Sequence, residues 1–323
     1  MTQPNAPDVK QAGPSTSTIL PISLAEDDSI DLPPGRSLQP DESMAISCAR
    51  PTRFIVLAGA EDSGKTTLLA SLHERFLRGS FGGYLFAGCE TFLGFERICH
   101  KGRGESGRST PDTERTKRTQ GRQLLHLRLR IEDCSRPAQD LLLSDLSGEE
   151  FTDARDSGDV TKELRIVRAA HHLLLLVDGE KIANPRFRQQ GRDEACLLLR
   201  TFVEEGLLGG GSRVDVLFTK WDIAGSPHIA AVTGPFADSI VTDIKGQYGK
   251  LLGGIRSFRV TARDPSGALQ PATGLEQALA GWVELGAESV SALPLKLVER
   301  TTTTEYDRFF RREMPNLFAK GTP

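Results

Sequence analysis

Paired cysteines, net charge and long apolar runs are all in short supply in this chain, and each shortage removes a class of protein. The five cysteines (Cys48, Cys89, Cys99, Cys134 and Cys196) are odd in number and scattered, with no Cys-x-x-Cys pair. Neither a disulfide framework nor a thiolate zinc site is expected, and a reducing compartment is. Lys and Arg number 40 against 43 Asp and Glu, a formal net charge of -3, so no global field draws the chain to nucleic acid or membrane. The longest aliphatic runs, such as 173–177, fall far short of the roughly 20 residues that cross a bilayer. No apolar stretch follows a basic start, no glycine follows Met1, and no cysteine box closes the chain. Secretion and the common lipid anchors are therefore not expected, and the prediction is a soluble, cytoplasmic protein.

The near-neutral total conceals an uneven distribution. Residues 1–48 hold seven acids against two bases, with seven of the 18 prolines. Such a segment cannot bury enough surface to offset its ordering entropy and is expected to be a disordered acidic tail. Residues 101–130 hold nine bases against three acids, opposite in sign to the tail and able to attract it. That stretch lacks interleaved aromatic residues, so direct nucleic-acid binding is not expected.

From residue 53 the pattern changes. Apolar runs at 54–58, 141–145, 172–177, 214–218 and 258–261 read as buried strands. Helical spacing at 66–77, 160–169, 187–205, 235–251 and 273–284 places a crossover between most of them. This alternation predicts an α/β fold: a doubly wound, mostly parallel sheet of about six strands with helices on both faces. Segment 124–131 alternates Leu with His and Arg, the pattern of an edge strand with one wet face. Residues 79–122 form an insert too long for a plain connection, with a short helix expected near 90–100. The expected domain runs from 52 to 285, followed by a helical extension over 286–323.

Four segments carry chemistry. Gly59-Ala-Glu-Asp62-Ser63-Gly64-Lys65-Thr66 matches G-x-x-x-x-G-K-[ST] between a strand and a helix. Backbone N–H groups of such a turn form an anion cradle, to which the following helix adds its positive end. Lys65 would reach the β- and γ-phosphates and Thr66 would ligate magnesium, with Thr67 next to it in the helix start. Asp145-Leu-Ser-Gly148 ends a strand as DxxG. There Asp145 would hold the metal through water, and the Gly148 N–H would sense a γ-phosphate. Thr219-Lys220-Trp221-Asp222 caps a further strand. The Asp222 carboxylate can accept two hydrogen bonds from guanine, which adenine cannot supply, while the Lys220 stem covers the base plane. Thr261-Ala262-Arg263 follows the next strand and is a degenerate form of the Ser-Ala-Lys segment whose backbone contacts the guanine oxygen.

In this order the motifs resemble the translation-factor and Ras-like class of P-loop GTPases over about residues 52–285. The insert, with Phe86-Ala-Gly-Cys-Glu-Thr-Phe-Leu, His100-Lys-Gly-Arg and 110–116, is similar to that of the bacterial double-GTPase-type domains. The resemblance implies a GTP- or GDP-bound switch with Mg²⁺, in a multi-component system that in some members is linked to defence against invading elements. It implies a protein effector or activating partner. With one P-loop here, a second GTPase would be a separate chain.

The resemblance also calls for a switch threonine just before the strand at 124. Thr110, Thr113, Thr116 and Thr119 qualify by position; Thr116 is favoured and Thr113 is next. Arg108, Arg115, Lys117 and Arg118 flank them, an internal arginine finger being one reading and a solvated loop the preferred one. Where the class commonly has a water-orienting Gln, this chain has Glu149, which can polarise water yet adds negative charge. Glu61 and Asp62 add two more carboxylates to the P-loop. Asp62 aligns with a potassium-binding Asn of some relatives, although an exposed turn residue is preferred. Slow, partner-assisted hydrolysis is the leading expectation. A non-hydrolysing nucleotide-bound adaptor is the alternative, and an ATPase the lesser one.

Overall fold

The structure is a computed structural model and describes residues 35–39, 41–100, 123–133, 136–145 and 165–283. Seven strands form one sheet: β1 (Thr52–Ala58), β2 (Tyr84–Gly88), β3 (Gln123–Ile131), β4 (Gln139–Asp145), β5 (His172–Asp178), β6 (Arg213–Thr219) and β7 (Gly254–Arg259). Their order is β2-β3-β4-β1-β5-β6-β7. Strands from β4 to β7 are parallel, whereas β2 and β3 run antiparallel to their neighbours.

The two periods of the sequence explain the layers. Within β1, Ile55 and Leu57 belong to one apolar cluster while Val56 and Ala58 belong to the other, because successive strand side chains point to opposite faces. The first cluster is closed by α2 (Lys65–Leu77), α3 (Phe92–His100) and α9 (Glu276–Val283), the second by α6 (Arg188–Glu204) and α8 (Ala230–Tyr248). A sheet covered on both faces is the expected doubly wound α/β arrangement. Shorter helices are α1 (Ser43–Ala49), α4 (Arg165–Arg168), α5 (Gly179–Ala183) and α7 (Trp221–Ala224).

Three expectations need correcting. β3 is not an edge strand: β4 pairs with it on one side and β2 on the other. Its polar face is wet only toward one end: His126 is buried, whereas Arg128 is half-buried and Arg130 exposed. The His126 Nδ1 accepts the Glu90 backbone N–H at 2.9 Å, which leaves the proton on Nε2 to meet Asp140 Oδ1 at 2.8 Å. Burial lowers the pKa of this imidazole despite the carboxylate beside it. β2 lies inside the insert and escapes the sequence pattern because it is short and partly exposed. Second, the half-exposed strand at the other edge is β7, which begins at Gly254 and ends before Val260, earlier than the apolar run suggested. Third, the tail is not coil through residue 48. Leu38 exchanges two backbone hydrogen bonds with Leu124 (2.9 and 2.8 Å), and α1 buries Ile46. Residues up to 34 and the extension beyond 283 lie outside the described residues.

At the end of the sheet where β6 begins, Asp215 is fully buried. It accepts hydrogen bonds from Arg256 Nε (2.8 Å), Arg256 Nη2 (2.7 Å) and Trp282 Nε1 (2.8 Å), with His172 Nδ1 at 3.8 Å. Trp282 thus both packs in the core and donates. Burial alone would raise the Asp215 pKa, but His172, Arg256 and Trp282 outweigh it and hold it below the ordinary 3.8. A depressed folded pKa contributes stability that is present above the unfolded value and lost as pH falls through the folded one. Asp215→Asn is therefore expected to cost about 3 kcal/mol at neutral pH, because it leaves Arg256 without its carboxylate. Urea denaturation from pH 7 downward should also show a shallower loss of stability below pH 4 in the variant than in the wild type.

Candidate functional site

The C-terminal ends of β1, β5 and β6 converge on the Gly59–Thr66 loop. Gly59 is required by space: a Cβ there would meet Ser63 Oγ at 2.6 Å and Leu176 Cβ at 3.0 Å. Asp62 (φ 59°) and Gly64 (φ 90°) both sit in the left-handed region, which glycine enters freely and aspartate tolerates better than most residues. Gly64 caps α2 without a side-chain bond, and the helix's internal ladder starts with Leu68 N–H to Gly64 O at 2.9 Å. The positive end of a 13-residue helix thus faces the loop.

Lys65 is buried. Its ammonium donates to the carbonyls of Gly59 (2.7 Å) and Ala60 (2.8 Å), with Ser63 Oγ at 3.5 Å. The loop is therefore curled around its own cation. Thr66 and Thr67 are half-buried in the first turn of α2, while Glu61 and Asp62 are exposed. The two additional carboxylates face solvent rather than the inside of the cradle. Beside the loop lies a cleft of about 680 Å³ lined by Ala60, Glu61, Lys181, Gln190, Asp193, Glu194 and Leu197.

Thr219 joins this loop to the end of β6. Its hydroxyl donates to Ser63 O at 2.8 Å and reaches Val177 O at 3.2 Å. Lys220 also occupies the left-handed region (φ 49°), and its ammonium lies 3.0 Å from Asp178 Oδ2 and 2.9 Å from Glu180 Oε2. Burial opposes the charge, but these two carboxylates outweigh it and raise the lysine pKa. Asp222 Oδ1 is buried and has no hydrogen-bond partner. Burial, together with Asp264 nearby, raises this carboxyl's pKa. An unmet buried acceptor is costly unless a ligand completes it.

The segment after β7 is tied to this corner. Trp221 N–H donates to Val260 O (3.2 Å), Val260 N–H to Phe218 O (2.8 Å), and Thr261 N–H to Thr273 O (3.0 Å). Thr261 and Ala262 are both buried, and the Arg259 guanidinium lies 4.9 Å from the Trp221 ring centre.

The structure thus brings together Gly59, Asp62, Ser63, Gly64, Lys65, Thr66, Thr67, Thr219, Lys220, Asp222, Thr261 and Ala262. Asp145 ends β4, whose partner is β1, the strand that leads into the loop. Gly148, Glu149, Thr113 and Thr116 lie outside the described residues. Sequence reading missed Asp178 and Gly179, which close β5 at the same corner. An Asp-Gly pair ending an apolar run was their available signal. Among the described residues no group of three or more His, Cys, Asp or Glu side chains could hold a metal ion, and no helix is long and apolar enough to cross a membrane.

The family described as Double-GTPase 2 matches residues 53–283, more than half of the chain and from β1 to the end of α9. No curated protein matches the chain.

Proposed function

The chain belongs to the Double-GTPase 2 family, and from that premise we propose that it is a guanine-nucleotide switch that hydrolyses GTP to GDP with magnesium, slowly unless a protein partner assists. The observation that carries the guanine reading is the buried, partnerless Asp222 Oδ1 in α7, just past the end of β6. A guanine N1–H and exocyclic amine would satisfy this carboxylate, whereas adenine offers no matching donors. Phosphate binding is supported by the loop that only glycine fits at position 59 and by the buried Lys65 within it.

In this reading Lys65 exchanges the Gly59 and Ala60 carbonyls for phosphate oxygens and neutralises charge that develops on them. Thr66 and Asp145 would hold the magnesium ion, with Thr116 or Thr113 joining them in the GTP state. The ion would supply charge neutralisation to the nucleotide phosphates. Glu149 stands where a water-orienting Gln is common, and a carboxylate there favours slow intrinsic turnover. A protein effector, a second GTPase chain among the candidates, would read the loss of the γ-phosphate.

The test is nucleotide binding and multiple-turnover phosphate release by the full-length protein and by Asp222→Asn. GTP should bind at least tenfold more tightly than ATP, and the variant should shift its preference toward xanthine nucleotides. Equal affinity for ATP and GTP overturns the guanine reading. GTP binding without any phosphate release leaves a nucleotide-bound adaptor in place of the enzyme.

A further inference from the structure

We infer that Asp178, seconded by Glu180, is a positioning residue for base binding: it holds Lys220 in the conformation that covers the base. This deepens the guanine reading above and rests on it. The argument begins with the lysine backbone. A left-handed φ of 49° is unfavourable for a long L side chain, so something must hold Lys220 there. Two carboxylates from a different strand end do so. Asp178 Oδ2 lies 3.0 Å from the ammonium and Glu180 Oε2 lies 2.9 Å away.

Asp178 is itself fixed. Its side chain is 5% exposed, and its other oxygen accepts the backbone N–H groups of Glu180 (2.9 Å) and Lys181 (3.4 Å) as the cap of α5. One oxygen thus anchors the residue to its own helix, and the other holds the lysine of the neighbouring strand. Glu180 is 61% exposed and contributes as a screened partner. The close approach of the two strand ends belongs to the same device, because Gly179 lets the Thr219 carbonyl pass where a Cβ would stand.

The two oxygens can be separated experimentally. Asp178→Asn keeps an oxygen to cap α5, since Asn is as good a cap as Asp, but turns an amide towards the ammonium. In full-length protein its dissociation constants for GDP and for inosine diphosphate should both rise about tenfold, because the covering lysine serves either purine. The affinity for pyrophosphate, which needs only the phosphate loop, should stay unchanged, as should the thermal midpoint without nucleotide. Glu180→Gln should produce a smaller rise, and Asp178→Glu should partly restore GDP binding. Asp178→Asn that binds GDP like the wild type overturns the inference. So does a variant whose GDP and pyrophosphate affinities fall together with its thermal midpoint, which identifies a structural role. A wild type that binds pyrophosphate but no guanine nucleotide refutes the underlying reading instead, a result distinct from either.

Discussion

Lys65→Ala is expected to abolish measurable GTP turnover and to weaken guanine-nucleotide binding by about a hundredfold or more, the scale on which a single preorganised charge donor acts. The ammonium donates into the Gly59–Gly64 curl, where it already sits in contact with two carbonyls. Little reorganisation is needed when phosphate oxygens replace them, so most of the lysine's electrostatic contribution goes to the nucleotide. Its removal should cost the fold less than it costs the ligand. A hydrogen bond from a charged group contributes about 1.5–3 kcal/mol net, and water can enter the loop from the side of the exposed Glu61. Lys65→Met keeps the aliphatic stem that crosses the loop and isolates the charge. Phosphate release and nucleotide titration should place both variants together, far below the wild type. Unchanged turnover in Lys65→Ala would remove the loop from the chemistry altogether.

The difference between what the sequence announced and what it withheld follows from how local each feature is. The phosphate loop was legible because its requirements lie within eight consecutive residues: glycine at 59 to clear Ser63 and Leu176, glycine at 64 to enter the left-handed region, and a cation next to it. Strands β1, β4, β5 and β6 were legible because burial on both faces leaves apolar runs such as Leu173–Leu174–Leu175–Leu176. Strand β2 was not, because an edge of five residues after two glycines carries neither run nor period. The misreading of β3 has a different source. Arg130 does face solvent, but His126 is buried through a partner on β4 that no local pattern reveals. The Asp178–Lys220 contact spans 42 residues and follows from β5 and β6 lying side by side, a property of topology rather than spacing. The expected switch threonines, Glu149 and Gly148 lie outside the described residues.

Gly179→Ala is expected to be strongly destabilising. A Cβ at 179 would stand 2.0 Å from the Thr219 carbonyl oxygen and 3.1 Å from that of Lys220. Both are backbone atoms, so no rotamer change relieves the clash, and the ends of β5 and β6 must separate by about 1 Å or more to restore normal contact. Their register pairs Asp178 with Thr219, so the strain falls where Thr219 holds Ser63 and Val177. It falls as well where Asp178 holds Lys220. The expected result is a loss of about 3 kcal/mol or more in urea denaturation, in the range reserved for overpacked interiors. Rapid release of bound GDP from whatever protein stays folded should accompany it. Gly246→Ala provides the opposite sign in the same experiment. That glycine lies inside α8 with nothing within 4 Å of its added methyl, so alanine should stabilise the protein by about 0.5–1 kcal/mol through helix propensity alone. If both variants denature at the wild-type midpoint, the interlock between the two strand ends does not exist, and the account of how Thr219 ties the phosphate loop to the base corner loses its foundation.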